Sequence, residues 1–126
     1  MGQPFLHMTY NDKINKTETL NFESSPLTGG ASLSYQNLYI LTSGNTASAS
    51  EIVINCLKPY MEGRLYQVGA ATFGKNVAQQ LFTNAEAPGI ELWLTTTYLS
   101  NSQGYYDYFK NGLLPDFEIE ETMELN

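Results

Sequence analysis

Apolar and polar positions alternate with a period of two along much of this chain, and that period predicts strands before anything else. Residues 4–10 and 17–22 alternate well enough for two strands, with Asn11-Asp-Lys-Ile-Asn-Lys16 between them as a hairpin loop. Bulky and β-branched runs predict further strands at 38–42, 65–69, 77–83 and 90–98, separated by turn formers such as Ser43-Gly44-Asn45 and the stretch from Asn84 to Gly89. Only 48–61 has a helical period, with Ile52, Val53, Cys56, Leu57 and Tyr60 falling on one predicted inward face. Residues 23–36, rich in Ser, Gly and Thr, predict a loop, and Tyr98 to Tyr108 a turn with aromatic flanks. Near the end, Phe117 and Ile119 alternate with Glu118 and Glu120, which predicts a half-buried edge strand. The expected class is α/β (α+β), rich in strands, with one main helix.

Composition narrows the functions. Apolar residues make up 42% of 126, enough for the core of one domain. A net charge of −7 with only six Lys and Arg argues against nucleic-acid binding, which needs clustered cations to neutralise phosphates. No stretch approaches the ~20 apolar residues of a membrane span, and Met1-Gly-Gln-Pro lacks the charged start and apolar core of a signal peptide. The single cysteine, Cys56, lies on the apolar face of the predicted helix and is expected to be a buried core thiol. His7, alone in a strand-like run, is expected to be structural. The acids of Asp116 to Glu124 suit an edge strand or solvated tail better than a metal site.

The chemistry worth weighing sits where a strand turns into the helix. Thr46-Ala-Ser-Ala-Ser-Glu51 follows the 38–42 run, and the first turn of a helix offers free N–H groups and the positive end of the macrodipole to an oxyanion. Ser48-x-x-Glu51 is equally a capping box, and on this segment alone plain capping is the commoner outcome. A serine nucleophile also needs a base. Thr72-Phe-Gly-Lys75 follows the 65–69 run, and Gly74 lets the backbone turn tightly enough for Lys75 to point inward. A lysine acts as a base where burial favours its neutral form, although a lone loop lysine is more often solvated.

Taken together, Ser48-Ala-Ser-Glu51, Thr72-Phe-Gly-Lys75 with Gln79, Leu92-Trp-Leu-Thr-Thr-Thr-Tyr98 and Gly112-Leu-Leu-Pro-Asp116 resemble, in order, the carboxyl-terminal processing (tail-specific) serine peptidases. The helix run Glu51 to Met61 looks most like cell-envelope members of Bacteroidetes-type bacteria. The resemblance spans roughly residues 38 to 120 and implies a ClpP/crotonase-like peptidase core. It implies Ser48 as nucleophile, Lys75 as general base, Gln79 as the residue orienting the lysine, and the Ala49 amide as one oxyanion donor. It implies a protein or peptide substrate, no metal or organic cofactor, and a place in the bacterial cell envelope or periplasm.

The family also carries an upstream Gly-rich oxyanion turn of the Asp-Leu-Arg-Asn-Gly-Gly kind and a PDZ-type module, and neither pattern occurs here. Residues 1–126 are therefore expected to be the carboxyl-terminal portion of a catalytic domain, inactive alone and self-associating as a homo-oligomer through unpaired sheet edges. Two rivals stand beside this reading. One is a non-catalytic domain that keeps the peptidase fold as an interaction surface. The other is a peptide- or glycan-binding module in which Trp93, Tyr105, Tyr106 and Tyr108 form a stacking surface, although strand aromatics are more often core or cross-strand partners.

Overall fold

The computed structural model describes residues 2–23 and 36–122, so the 23–36 loop and the last residues of the acidic tail fall largely outside it. Strands β1 (Pro4–Tyr10) and β2 (Thr17–Asn21) form the expected hairpin. Its loop is an Asx turn in which Asn11 Oδ1 accepts the N–H groups of Lys13 and Ile14, each at 3.2 Å. They join β6 (Glu91–Ser100) and β5 (Val77–Thr83) in a four-stranded antiparallel sheet of order β2-β1-β6-β5. His7 accepts a structural place there, its Nδ1 lying 2.8 Å from Thr19 Oγ1 across the hairpin.

A second, parallel sheet holds β3 (Leu38–Thr42), β4 (Leu65–Gly69) and the short β7 (Phe117–Glu118) in the order β3-β4-β7. Parallel neighbours need a crossover, and α1 (Ala49–Leu57) supplies it between β3 and β4. A 3₁₀ turn at Lys58–Tyr60 follows, because Pro59 cannot donate the N–H that would continue the α-helix.

The helix does not bury the single stripe its period suggests. Val53 is 46% exposed, while Glu51, Ile54, Asn55 and Cys56 are buried. The reason is that α1 lies between the two sheets and serves a core on each side. Ile54 packs with Leu65, Tyr108 and Leu113 against the parallel sheet, whereas Cys56 and Ile52 meet Leu6, Met8 and Leu99 on the antiparallel one.

The closing turn ties the parallel sheet together, with Gln67 N–H donating to Asp116 Oδ2 at 2.7 Å and Asp116 N–H to the Gln67 carbonyl at 2.8 Å. The expectation of half-burial beyond it fails: Phe117 and Ile119 are exposed, as Glu118 and Glu120 are, since β7 is an edge pairing only with β4.

Candidate active site

The parallel strands aim the site. After β3 the chain turns through Ser43 and Thr46, where Thr46 Oγ1 accepts the Ser43 N–H at 3.0 Å and the Ser43 carbonyl accepts the Thr46 N–H at 2.9 Å. Two residues on, Ser48 has φ 55° and ψ −116°, a backbone region that side chains of L-residues rarely adopt. Such strain persists only where surrounding bonds overdetermine it, and it concentrates at functional turns that present a side chain. Ser48 is half-buried at the helix N-cap; Ala49 and Ser50, the first helical residues, are exposed. Among the described residues no acceptor takes the Ala49 N–H.

The bonds that overdetermine Ser48 come from Glu51. Its carboxylate is fully buried and accepts four hydrogen bonds: Oε2 takes the N–H of Ser48 and of Lys75, each at 2.8 Å, and Oε1 takes the Gly74 N–H at 2.6 Å and the Thr72 hydroxyl at 2.5 Å. The Thr72 proton is committed to Glu51 because Thr72 Oγ1 itself accepts the Leu113 N–H at 2.7 Å. A carboxylate has acceptor capacity on both oxygens and no proton to place against these donors. The bond expected for the acid of a capping box is thus present, but it is one of four. Sequence reading missed the other three, since their donors lie 21 to 24 residues downstream and no local pattern announces them.

Glu51 therefore clamps the lysine turn onto the serine turn, and the Phe73 N–H adds a direct bond to the Thr46 carbonyl at 2.8 Å. Gly74, at φ +89°, is required for close approach as well as for the turn: a Cβ there would lie 2.6 Å from both Lys110 N and the Tyr108 carbonyl oxygen. Lys75 is half-buried beside this junction. Gln79 lies four residues on, exposed in β5 just past a bulge between Ala78 and Gln79, and among the described residues no hydrogen bond joins it to Lys75. Tyr108, buried against α1, has its hydroxyl pKa pushed far up by desolvation, with the Glu51 charge adding to it.

A cleft of about 940 Å³ opens beside the serine turn, between Thr42–Thr46 and the run Glu118–Glu121, at the carboxyl ends of the parallel strands. Crevices at that end are where open α/β sheets take ligands. The aromatic residues expected as one stacking surface are instead divided. Tyr108 is core, Trp93 is exposed toward the far end of β6, and only Tyr105 and Tyr106 are exposed on the loop after it.

The model of the family described as Peptidase family S41 matches residues 4–119. A carboxyl-terminal-processing protease from Synechocystis sp. is 34% identical over 86 residues, covering 68% of this chain and 19% of that protein. One from Picosynechococcus sp. is also 34% identical, over 69% of this chain and 20% of its own length. The chain thus spans about a fifth of the curated relatives it matches. Among solved structures, one from Bacteroides fragilis assigned to the S41 proteases superposes with a TM-score of 0.80 at 32% identity, covering 96% of this chain and 30% of that one. The photosystem II D1 C-terminal processing protease shares the fold, with a TM-score of 0.68 at 22% identity over 94% of this chain and 28% of its own.

Proposed function

Because this chain belongs to peptidase family S41, we propose that it forms the carboxyl-terminal portion of the catalytic domain of a serine peptidase that cleaves protein or peptide substrates. In this reading the Ser48 hydroxyl attacks a peptide carbonyl. The neutral amine of Lys75 takes the hydroxyl proton and returns it to the leaving amine. The Ala49 N–H, free at the helix start, donates to the oxyanion, and Gln79 orients the lysine. The observation that carries the proposal is the Glu51 clamp, which holds the backbone of Ser48 and of Lys75 on one carboxylate oxygen. A capping box alone would leave Lys75 unconnected. No step requires a metal or organic cofactor.

The same reading supplies a second oxyanion donor and a substrate-docking module from upstream chain, and locates the parent enzyme in the bacterial cell envelope. Family membership and the small share of each relative that is spanned support the first of these points. Among the described residues no helix is long and apolar enough to cross a membrane.

The test is peptidase assay of the parent protein with Ser48→Ala and Lys75→Ala. Each is expected to abolish turnover while leaving the fold intact, and a fluorophosphonate probe is expected to label Ser48 and spare Ser50. Near-normal turnover by either variant would overturn the assignment in favour of a peptidase-like interaction domain.

A further inference from the structure

A second cleft, of about 640 Å³, lies against the antiparallel sheet between β6 and the loop that follows it. Its walls include Tyr98, Tyr106 and Phe109, all about half exposed, with Asp107 and Ser100 at the rim and buried Asn76 beneath. Such open aromatic surface is unusual unless something covers it. The rings of Tyr98 and Tyr106 stand 6.2 Å apart and inclined at 51°, so they form two walls rather than one flat platform. The Asp107 carboxylate is exposed, and among the described residues the ion pairs are Lys13 with Asp12 and Lys16 with Glu18, so it has no cation of its own. Lys110 lies over the Phe109 ring at 5.4 Å, an internal instance of the attraction these rings exert.

We propose that this cleft binds the cationic side chain, lysine or arginine, of a peptide, with the cation against the open faces of the Tyr98 and Tyr106 rings and paired to Asp107. Aromatic faces attract a cation through their quadrupole, and a carboxylate at the rim fixes its sign. A sugar would stack on a flat ring face and needs no charge, which the inclined pair and the lone carboxylate do not favour. The cleft is tied to the lysine turn, since Asn76 follows Lys75 directly and its side-chain amide donates to the Tyr106 carbonyl at 2.5 Å. A basic residue held here becomes a specificity determinant for cleavage. That role rests on the peptidase reading; the binding itself does not.

The experiment is an NMR titration of this chain with paired short peptides that differ only in arginine against its neutral isostere citrulline. The arginine peptide is expected to bind about five- to tenfold more tightly, with shifts at the Tyr98 and Tyr106 rings and the Asn76 amide. Asp107→Asn and Tyr106→Ala are each expected to remove the preference, while Ser48→Ala leaves it unchanged. Equal affinity for the two peptides, shifts confined elsewhere, or binding of a chito- or cello-oligosaccharide in their place would overturn the proposal. A preference that persists in a chain whose parent shows no Ser48-dependent cleavage would sink the peptidase reading and leave the basic-residue site standing.

Discussion

Ser48 and Lys75 donate their backbone N–H groups to the same atom, Oε2 of Glu51, at 2.8 Å each, so the two nitrogens are no farther apart than twice that distance. The side chains of the proposed nucleophile and base start from those two backbones, and the relative position of the backbones is set by one buried carboxylate. Removing it strands four donors, of which the Gly74 N–H and the Thr72 hydroxyl are buried, at about 1–3 kcal/mol for each buried one left unsatisfied. Relaxation offsets part of this, and Glu51→Ala is expected to cost about 3–5 kcal/mol by chemical denaturation. Glu51→Gln is expected to fare little better, because its amide turns donors toward donors. Hydrogen exchange should show the Ser48, Gly74 and Lys75 amides losing protection together. A loss of only ~1 kcal/mol, with those amides still protected, would reduce Glu51 to an ordinary cap.

The strain at Ser48 gives a second expectation, one that adds to the usual advantage of glycine over alanine at a helix N-cap. At φ 55° and ψ −116° a Cβ is penalised, on the order of 1–3 kcal/mol, and glycine is not. After the extra unfolded-state freedom of glycine is subtracted, Ser48→Gly should be more stable than Ser48→Ala by about 1 kcal/mol. Paired melting curves of the two variants check this, and an alanine variant as stable as the glycine one would mean that the turn relaxes.

These features mark the limit of what the sequence discloses. Strands β1, β3, β4 and β5 fall within a residue of the pattern's bounds, because each owes its period to a face that is buried or paired locally. The inward face of α1 was misjudged at Val53, since a helix between two sheets buries more than one stripe and no hydropathy pattern tells which polar residue, here Glu51 or Asn55, goes in with it. Of the site, the serine and lysine turns were legible as motifs. The clamp that joins them was not, because its bonds link residues whose proximity only the folded parallel sheet creates.

Gly74 tests the clamp from the other side. A Cβ at this position would meet backbone atoms of Tyr108 and Lys110 at 2.6 Å, and backbone cannot swing away as a side-chain tip can. Its φ of +89° adds a conformational penalty. Gly74→Ala is therefore expected to cost at least ~2 kcal/mol and, in the parent protein, to abolish turnover with Ser48 and Lys75 both present. Wild-type stability would show that the lysine turn is free to shift.

Cys56 offers a probe that leaves the site untouched. It is fully buried between α1 and the antiparallel sheet, and burial pushes its thiol up to about 11. At pH 8 the native chain should resist a thiol-disulfide reagent and react on unfolding. Because the folded-state value lies above the ordinary 9.0, the protonated thiol favours folding. That contribution is complete below about pH 9 and is lost as pH rises toward 11. Cys56→Ser should flatten this alkaline limb, and an unchanged limb would assign it to another group.

The last expectation concerns the surface the chain exposes. Leu81 and Trp93 are cross-strand partners on one face of the β5–β6 hairpin, Phe82 and Leu92 on the other, and all four are 43% to 58% exposed. A hairpin apolar on both faces seldom stays open to water. Its outer strand β5, Val77–Thr83, carries no charge and no proline to discourage pairing with another strand, whereas the opposite edge β2 carries Glu18. The 126-residue chain is accordingly expected to be dimeric or larger by light scattering, and inactive on unfolded protein. Leu81→Lys together with Phe82→Lys, placing like charges on both faces of that edge, should return it to a monomer. A wild-type chain that stays monomeric at high concentration would mean that this hairpin is stable in water as it stands. Ser48-dependent cleavage by that monomer would make the chain a self-sufficient peptidase.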